Sequence, residues 1–172
     1  QDGGHTSEPW MDHADNPKAL HLYAGRPACG TVYIVGEQGL VLRLDRSQQR
    51  FVQVPLPYQG SLFGVAGRDD IALVFGLRGN AWLSGGCEGG EWTQLKTGVQ
   101  AALTGGVVRA DGAVVLASQA GHLLLGRQGG GVALERIKLK TPMPIFALSE
   151  AGGADMALAG PGGVTLQEVK KP

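Results

Sequence analysis

One short motif returns four times along the chain at nearly constant distance, and this recurrence restricts the fold more than any other feature. It reads Gly36-Glu37-Gln38-Gly39, Gly76-Leu77-Arg78-Gly79, Ser118-Gln119-Ala120-Gly121 and Gly160-Pro161-Gly162-Gly163, with starts 40, 42 and 42 residues apart. Each copy lies between two short apolar runs. A second set of anchors, Leu20, Leu62, Leu103 and Ile145, repeats at 42, 41 and 42 residues. Two independent phases with one period indicate a repeat architecture.

Within each period the pattern is strand, turn, strand, glycine turn, strand, turn, strand. The first repeat predicts strands over Leu20–Ala24, Val32–Val35, Leu40–Leu44 and Phe51–Pro55. The second predicts Leu62–Ala66, Ile71–Phe75, Ala81–Leu83 and Trp92–Lys96. The third predicts Leu103–Arg109, Ala113–Ala117, His122–Leu125 and Leu134–Leu139, and the fourth Ile145–Ser149, Met156–Ala159 and Val164–Val169. Some runs alternate apolar and polar residues, as at Phe51-Val52-Gln53-Val54. Ala113–Ala117 is apolar throughout, which fits a strand buried on both faces. No segment keeps a helical period. Four antiparallel strands per unit of about forty residues is the plan of a β-propeller blade.

The expected fold is therefore all-β: one domain over 1–172 with four four-stranded blades, at about 19–60, 61–101, 102–143, and 144–172 joined by 1–18. A strand near Glu8–Asp12 would supply the fourth strand of the last blade. Composition agrees. The 29 glycines and the low charged fraction of 17% suit short strands and tight turns. Lys+Arg and Asp+Glu are both 15, which argues against a general nucleic-acid or anionic-membrane surface. No apolar run approaches the roughly 20 residues of a membrane-spanning helix. No signal peptide is read, and Gln1 in place of Met suggests a processed or trimmed product. Cys29 and Cys87 could pair in an oxidising compartment or stand as separate thiols, and spacing alone leaves both open.

Three segments, Asp2-Gly3-Gly4-His5-Thr6, Gly89-Gly90-Glu91-Trp92 and Gln128-Gly129-Gly130-Gly131, look like variants of the Asp-box hairpin of BNR repeats. With the glycine turns they resemble the Ycf48-like branch of these propellers, from Asp2 to about Val169. That resemblance implies a non-catalytic protein-interaction platform, an assembly or accessory factor for a membrane-associated complex, exported to the periplasm. Its members include photosystem II assembly factors. The match departs from the pattern in two ways. The Asp survives only in the first box, and members usually carry about seven blades, so four is an unusual ring or part of a longer one. A homodimer could complete a larger propeller, and a fragment with no activity of its own is a further alternative.

Candidate chemistry is sparse. A sialidase-like, glycan-active or glycan-binding propeller would need an arginine cluster, a Tyr nucleophile and its Glu partner. Arg43, Arg78, Arg109, Tyr23 and Glu37 are the raw material, although no spacing selects them. The glycine turns lack the Lys-Ser/Thr and the helix of a phosphate loop, so Gly36, Gly39, Gly76, Gly79, Gly121, Gly160 and Gly163 read as structural turn residues. His5, Asp12, His13 and Asp15 read as a solvated polar segment. His21 and His122 read as strand wall residues, and the cysteines have no neighbouring His to activate a thiol. No cofactor and no metal site are expected. Trp10, Phe51, Trp92 and Leu134 recur at one phase and read as packing between blades. The turns between second and third strands and the linkers between blades should emerge on one face. There Gln38, Tyr58, Leu77, Arg78, Gln100, Gln119 and Met143 are the candidate binding residues for another protein.

Overall fold

The computed structural model describes residues 11–87, 91–127 and 134–170. Among them the chain forms fifteen strands, three one-turn 3-10 segments and no α-helix. Blade 1 contains β1 (Leu22–Ala28), β2 (Thr31–Gly36), β3 (Val41–Asp45) and β4 (Arg50–Gln53). Blade 2 contains β5 (Leu62–Arg68), β6 (Ile71–Gly76), β7 (Ala81–Ser84) and β8 (Trp92–Gln94). Blade 3 contains β9 (Leu103–Val108), β10 (Ala113–Ser118), β11 (Leu123–Arg127) and β12 (Glu135–Ile137). Blade 4 contains β13 (Ala147–Gly152), β14 (Asp155–Gly160) and β15 (Gly163–Glu168). Each sheet is an antiparallel meander in chain order.

The first strands of the blades line a common axis. β1 packs on β5, β5 on β9 and β9 on β13. The chain is thus an all-β propeller of four blades. No comparable packing joins β13 to β1, and both of these strands are mostly exposed while β5 and β9 are not. The blades form an arc with an open seam.

Side-chain alternation explains the stacking. Consecutive residues of a strand point to opposite faces. From β6, Ala72 and Val74 enter the core shared with blade 1, beside Tyr33, Val35 and Val41. Leu73 and Phe75 enter the core shared with blade 3, beside Val108, Val114, Leu116 and Leu124. From β10, Val115 and Ala117 join Leu123, Leu125, Met156 and Leu158 in the core shared with blade 4. β6 and β10 are buried at every position. Burying one such aliphatic side chain is worth about 1.5–3 kcal/mol, so the faces between blades dominate the stability.

Several sequence expectations shift. The inner strand of blade 1 starts at Leu22, which pairs with Gly36 as Leu62 pairs with Gly76. Leu20 lies outside it, bonded through its N–H and carbonyl to the Asn16 side chain. The strand also runs on through Gly25-Arg26-Pro27, which reads as a turn. Pro27 is tolerated because β1 pairs only with β2, so no ladder bond is lost. In blade 4 the described residues supply three strands. Of the expected fourth, Glu8–Trp10 lies outside the described residues, and Met11–His13 is a 3-10 turn. Ala14 then makes a parallel bridge to Phe51 in β4. The Asp-box-like segments lie outside the described residues apart from Glu91 and Trp92. In the β3–β4 hairpin the Asp45 carboxylate accepts bonds from the backbone N–H groups of Ser47 and Gln48 and from both side chains.

Cys29, in the β1–β2 turn, and Cys87, after β7, form a disulfide with Cα atoms 5.2 Å apart. It joins blade 1 to blade 2 beside the bond from Cys29 N–H to the Arg68 carbonyl. Replacing both cysteines by serine is expected to cost about 2–4 kcal/mol, since the bond closes a loop across 58 residues. Urea unfolding checks this. A second test concerns Gly79, at φ +71°, where a Cβ would strike the Val99 carbonyl oxygen. Gly79→Ala is expected to lower stability by about 2 kcal/mol or more. Gly162→Ala, which meets nothing within 4 Å, should change it by much less.

Candidate functional site

The turns between second and third strands and the linkers between blades do lie at one end of the arc, tied together by backbone bonds. Glu37 N–H donates to the His21 carbonyl (3.0 Å) and Gly39 N–H to Gly60 (2.8 Å). Leu77 N–H donates to Ser61 (2.9 Å), and Gln119 N–H to Ala102 (3.0 Å). The buried Thr97 hydroxyl donates to the Gly79 carbonyl at 2.7 Å. Each turn is thereby fixed to the chain entering its own blade or the next one. Gln38 and Arg78 sit at φ 52° and 55°, left-handed conformations uncommon for such residues, and hold them inside these locked turns.

The candidate binding residues divide into two groups. Gln38, Leu77, Arg78, Gln100 and Gln119 are exposed on this face. Tyr58 and Met143 are not protruding anchors. Tyr58 is half-buried, with its ring 6.4 Å from that of Trp82 and its hydroxyl donating to the Leu77 carbonyl. Met143 packs against the core between blades 3 and 4. Both fill the space under a turn, because linkers that close over a blade need an apolar underside.

The axial rim of the same face carries residues that the sequence reading missed. The second residue of each inner-strand entry is Tyr23, Phe63, Thr104 and Phe146. The three aromatics are all exposed, and Tyr23 and Phe63 meet edge to face at 5.6 Å. The signal was present as Leu22-Tyr23-Ala24, Leu62-Phe63-Gly64, Leu103-Thr104-Gly105 and Ile145-Phe146-Ala147. It was hidden by anchoring the first copy at Leu20.

Glu37 organises the polar part of this rim. Its carboxylate accepts the His21 N–H at 3.0 Å and the Tyr23 hydroxyl at 3.2 Å, and His21 Nδ1 lies 3.1 Å away. The bonds from His21 hold the Glu37 carboxyl below its ordinary value. Partial burial and the Glu37 carboxylate raise the Tyr23 phenol above its own, so it stays protonated at neutral pH and donates. His21 therefore precedes the strand and faces solvent, where the sequence reading put it in the strand wall.

At the other end of the inner strands a groove of about 390 Å³ is lined by Arg26, Arg68, Glu150 and residues of β5 and β9. Arg109 borders it, donating to the Gly153 and Val169 carbonyls and lying 3.9 Å from Glu150. Arg43 lies in β3 opposite Tyr33 of β2, with Nε buried and without a hydrogen-bond partner. The Tyr23–Glu37 pair and the arginines thus do not converge in one cavity. His122 precedes β11 with Nδ1 3.3 Å from the Ala120 carbonyl, and burial lowers its pKa. Among the described residues no three His, Cys, Asp or Glu side chains gather as a metal site, and His5 lies outside them. Phe51 and Trp92 are partly buried, Trp92 packs on the core between blades 1 and 2, and Leu134 packs on that between blades 2 and 3. Trp10 lies outside the described residues.

Glu37→Gln tests the electrostatics of the rim. A carboxyl whose pKa is depressed by folding stabilises the fold above its unfolded value of about 4.3, and this is lost as pH falls through the folded value. The variant is therefore expected to melt below wild type at neutral pH, with the gap closing below about pH 4. Thermal melts across pH read it directly.

No family model and no curated protein sequence matches the chain. Solved structures do match. The computationally designed Ika4 protein superposes with a TM-score of 0.75 at 15% identity, over 96% of this chain and 100% of that one. Virginiamycin B lyase from Staphylococcus aureus superposes at 0.67 and 14% identity, over 92% of this chain and 58% of the enzyme. YCF48 from Cyanidioschyzon merolae superposes at 0.58 and 13% identity, over 83% of this chain and 49% of that protein. The chain spans about half the length of these two natural proteins. At such identities the likeness establishes the β-propeller fold and nothing finer.

Proposed function

We propose that the chain is a non-catalytic platform that holds another protein against the turn face, with the axial aromatics as its anchor. One observation carries this reading. Tyr23, Phe63 and Phe146 share one repeat position and are all exposed at the turn-face end of the inner strands, Tyr23 and Phe63 in ring contact, and Leu77 and Arg78 are exposed on the blade 2 turn of the same face. Exposed apolar side chains gathered in one place on a rigid scaffold mark interaction surfaces. Aromatic and Arg residues are the usual carriers of binding energy. The sequence resemblance to the Ycf48-like branch gives the finer form, an assembly or accessory factor for a membrane-associated complex. The Cys29–Cys87 disulfide fits an oxidising compartment, in keeping with an exported protein.

The glycan-active alternative has one observation in its favour, the hydrogen-bonded Tyr23–Glu37 pair. It lacks an arginine cluster beside that pair, and the raised Tyr23 pKa works against a phenolate nucleophile.

Selection of a random-peptide phage library on the immobilised chain tests the platform. Selected peptides are expected to lose at least tenfold in affinity for a Phe63→Ser, Phe146→Ser, Arg78→Glu variant, about 1.4 kcal/mol or more. The three side chains are exposed, so melting temperature should change little. Undiminished binding would exclude this face. Turnover of a fluorogenic sialoside would favour the enzyme instead.

A further inference from the structure

Blades 1 to 3 each bury one face against the blade that follows, and blade 4 carries the same face with no described strand packed upon it. In the third strands, Val41, Ala81 and Leu123 occupy one repeat position, paired with Val35, Phe75 and Ala117. All three are 0% exposed. Their counterpart in blade 4 is Val164, paired with Ala159 and 69% exposed. Two residues on, Leu125 is buried against blade 4, while its counterpart Leu166 is 58% exposed. By register, Ala147, Ser149, Ala157 and Ala159 share this face with Val164 and Leu166.

We propose that this face docks on blade 1 of a second copy of the same chain, and that the reciprocal contact closes an eight-bladed ring about a twofold axis. In every seam within the chain, the surface covering such a face is the opposite face of the next repeat. Ala72 and Val74 of blade 2, Val114 and Leu116 of blade 3, and Met156 and Leu158 of blade 4 supply it, all buried. The corresponding residues of blade 1, Val32 and Ile34, are left partly exposed. The two uncovered faces are therefore a matched pair that one arc cannot bring together. A self-complementary pair of this kind closes with two copies when the rotation allows. The arc supplies about half of a natural propeller, since the chain covers 49% of YCF48 and 58% of the lyase. Zero net charge offers no general repulsion between copies. Before blade 1 the chain runs beside its outer strand β4, where Asp15 N–H donates to the Phe51 carbonyl at 2.8 Å.

Sedimentation velocity and light scattering of the full chain decide the matter. The expected mass is twice 17.9 kDa. Val164→Glu with Leu166→Lys should halve the mass. Both side chains are exposed, so circular dichroism should remain that of the folded β protein. A wild-type monomer at micromolar concentration would overturn the proposal. So would a dimer that survives the double substitution, or open polymers of many copies.

Discussion

The structure depends on one constraint: a blade in the middle of the arc must be apolar on both faces, because each strand sends alternate side chains into different cores. β6 and β10 meet it at every position. Their odd and even residues belong to separate clusters, so each strand couples two interfaces. The end blades relax the rule. β2 and β14 keep alternate positions buried and leave the others only partly covered. Stability is thus shared between neighbouring repeats, as expected when each unit contacts only its neighbours.

The same stacking places the functional face. Fixing the second and third strands fixes the turn between them, and a backbone bond ties each of the first three turns to the start of its own inner strand. Those starts carry Tyr23, Phe63 and Thr104, and the matching position of blade 4 carries Phe146, so the aromatic rim follows from the repeat. Gln38 and Arg78 are held in left-handed conformations by the same bonds, which costs energy that a merely connecting turn would avoid. A rigid and strained loop presents its side chain without a further ordering cost on binding.

Much of this was legible in the residues. The recurrence of the glycine turns and the unbroken apolar run Ala113–Ala117 led to four blades, because spacing and alternation are local properties. Three things were not legible, each for a physical reason. Pro27 and Gly25 read as a turn, yet an edge strand accommodates both. Tyr58 and Met143 read as surface anchors, yet a linker folding back over its blade buries part of each. Cys29 and Cys87 are far apart in sequence, and only the stacking of blade 1 on blade 2 brings them together. The aromatic rim could have been found, had the first copy been aligned at Leu22 rather than Leu20.

The central claim is that the second strands of blades 2 and 3 form the most stable part of the molecule because both of their faces are buried. Native-state amide hydrogen exchange measures this strand by strand. The account predicts that β6 and β10 amides exchange last and together, through global unfolding, well after those of the outer strands β4 and β8. Exchange of β6 or β10 as early as these outer strands would contradict it.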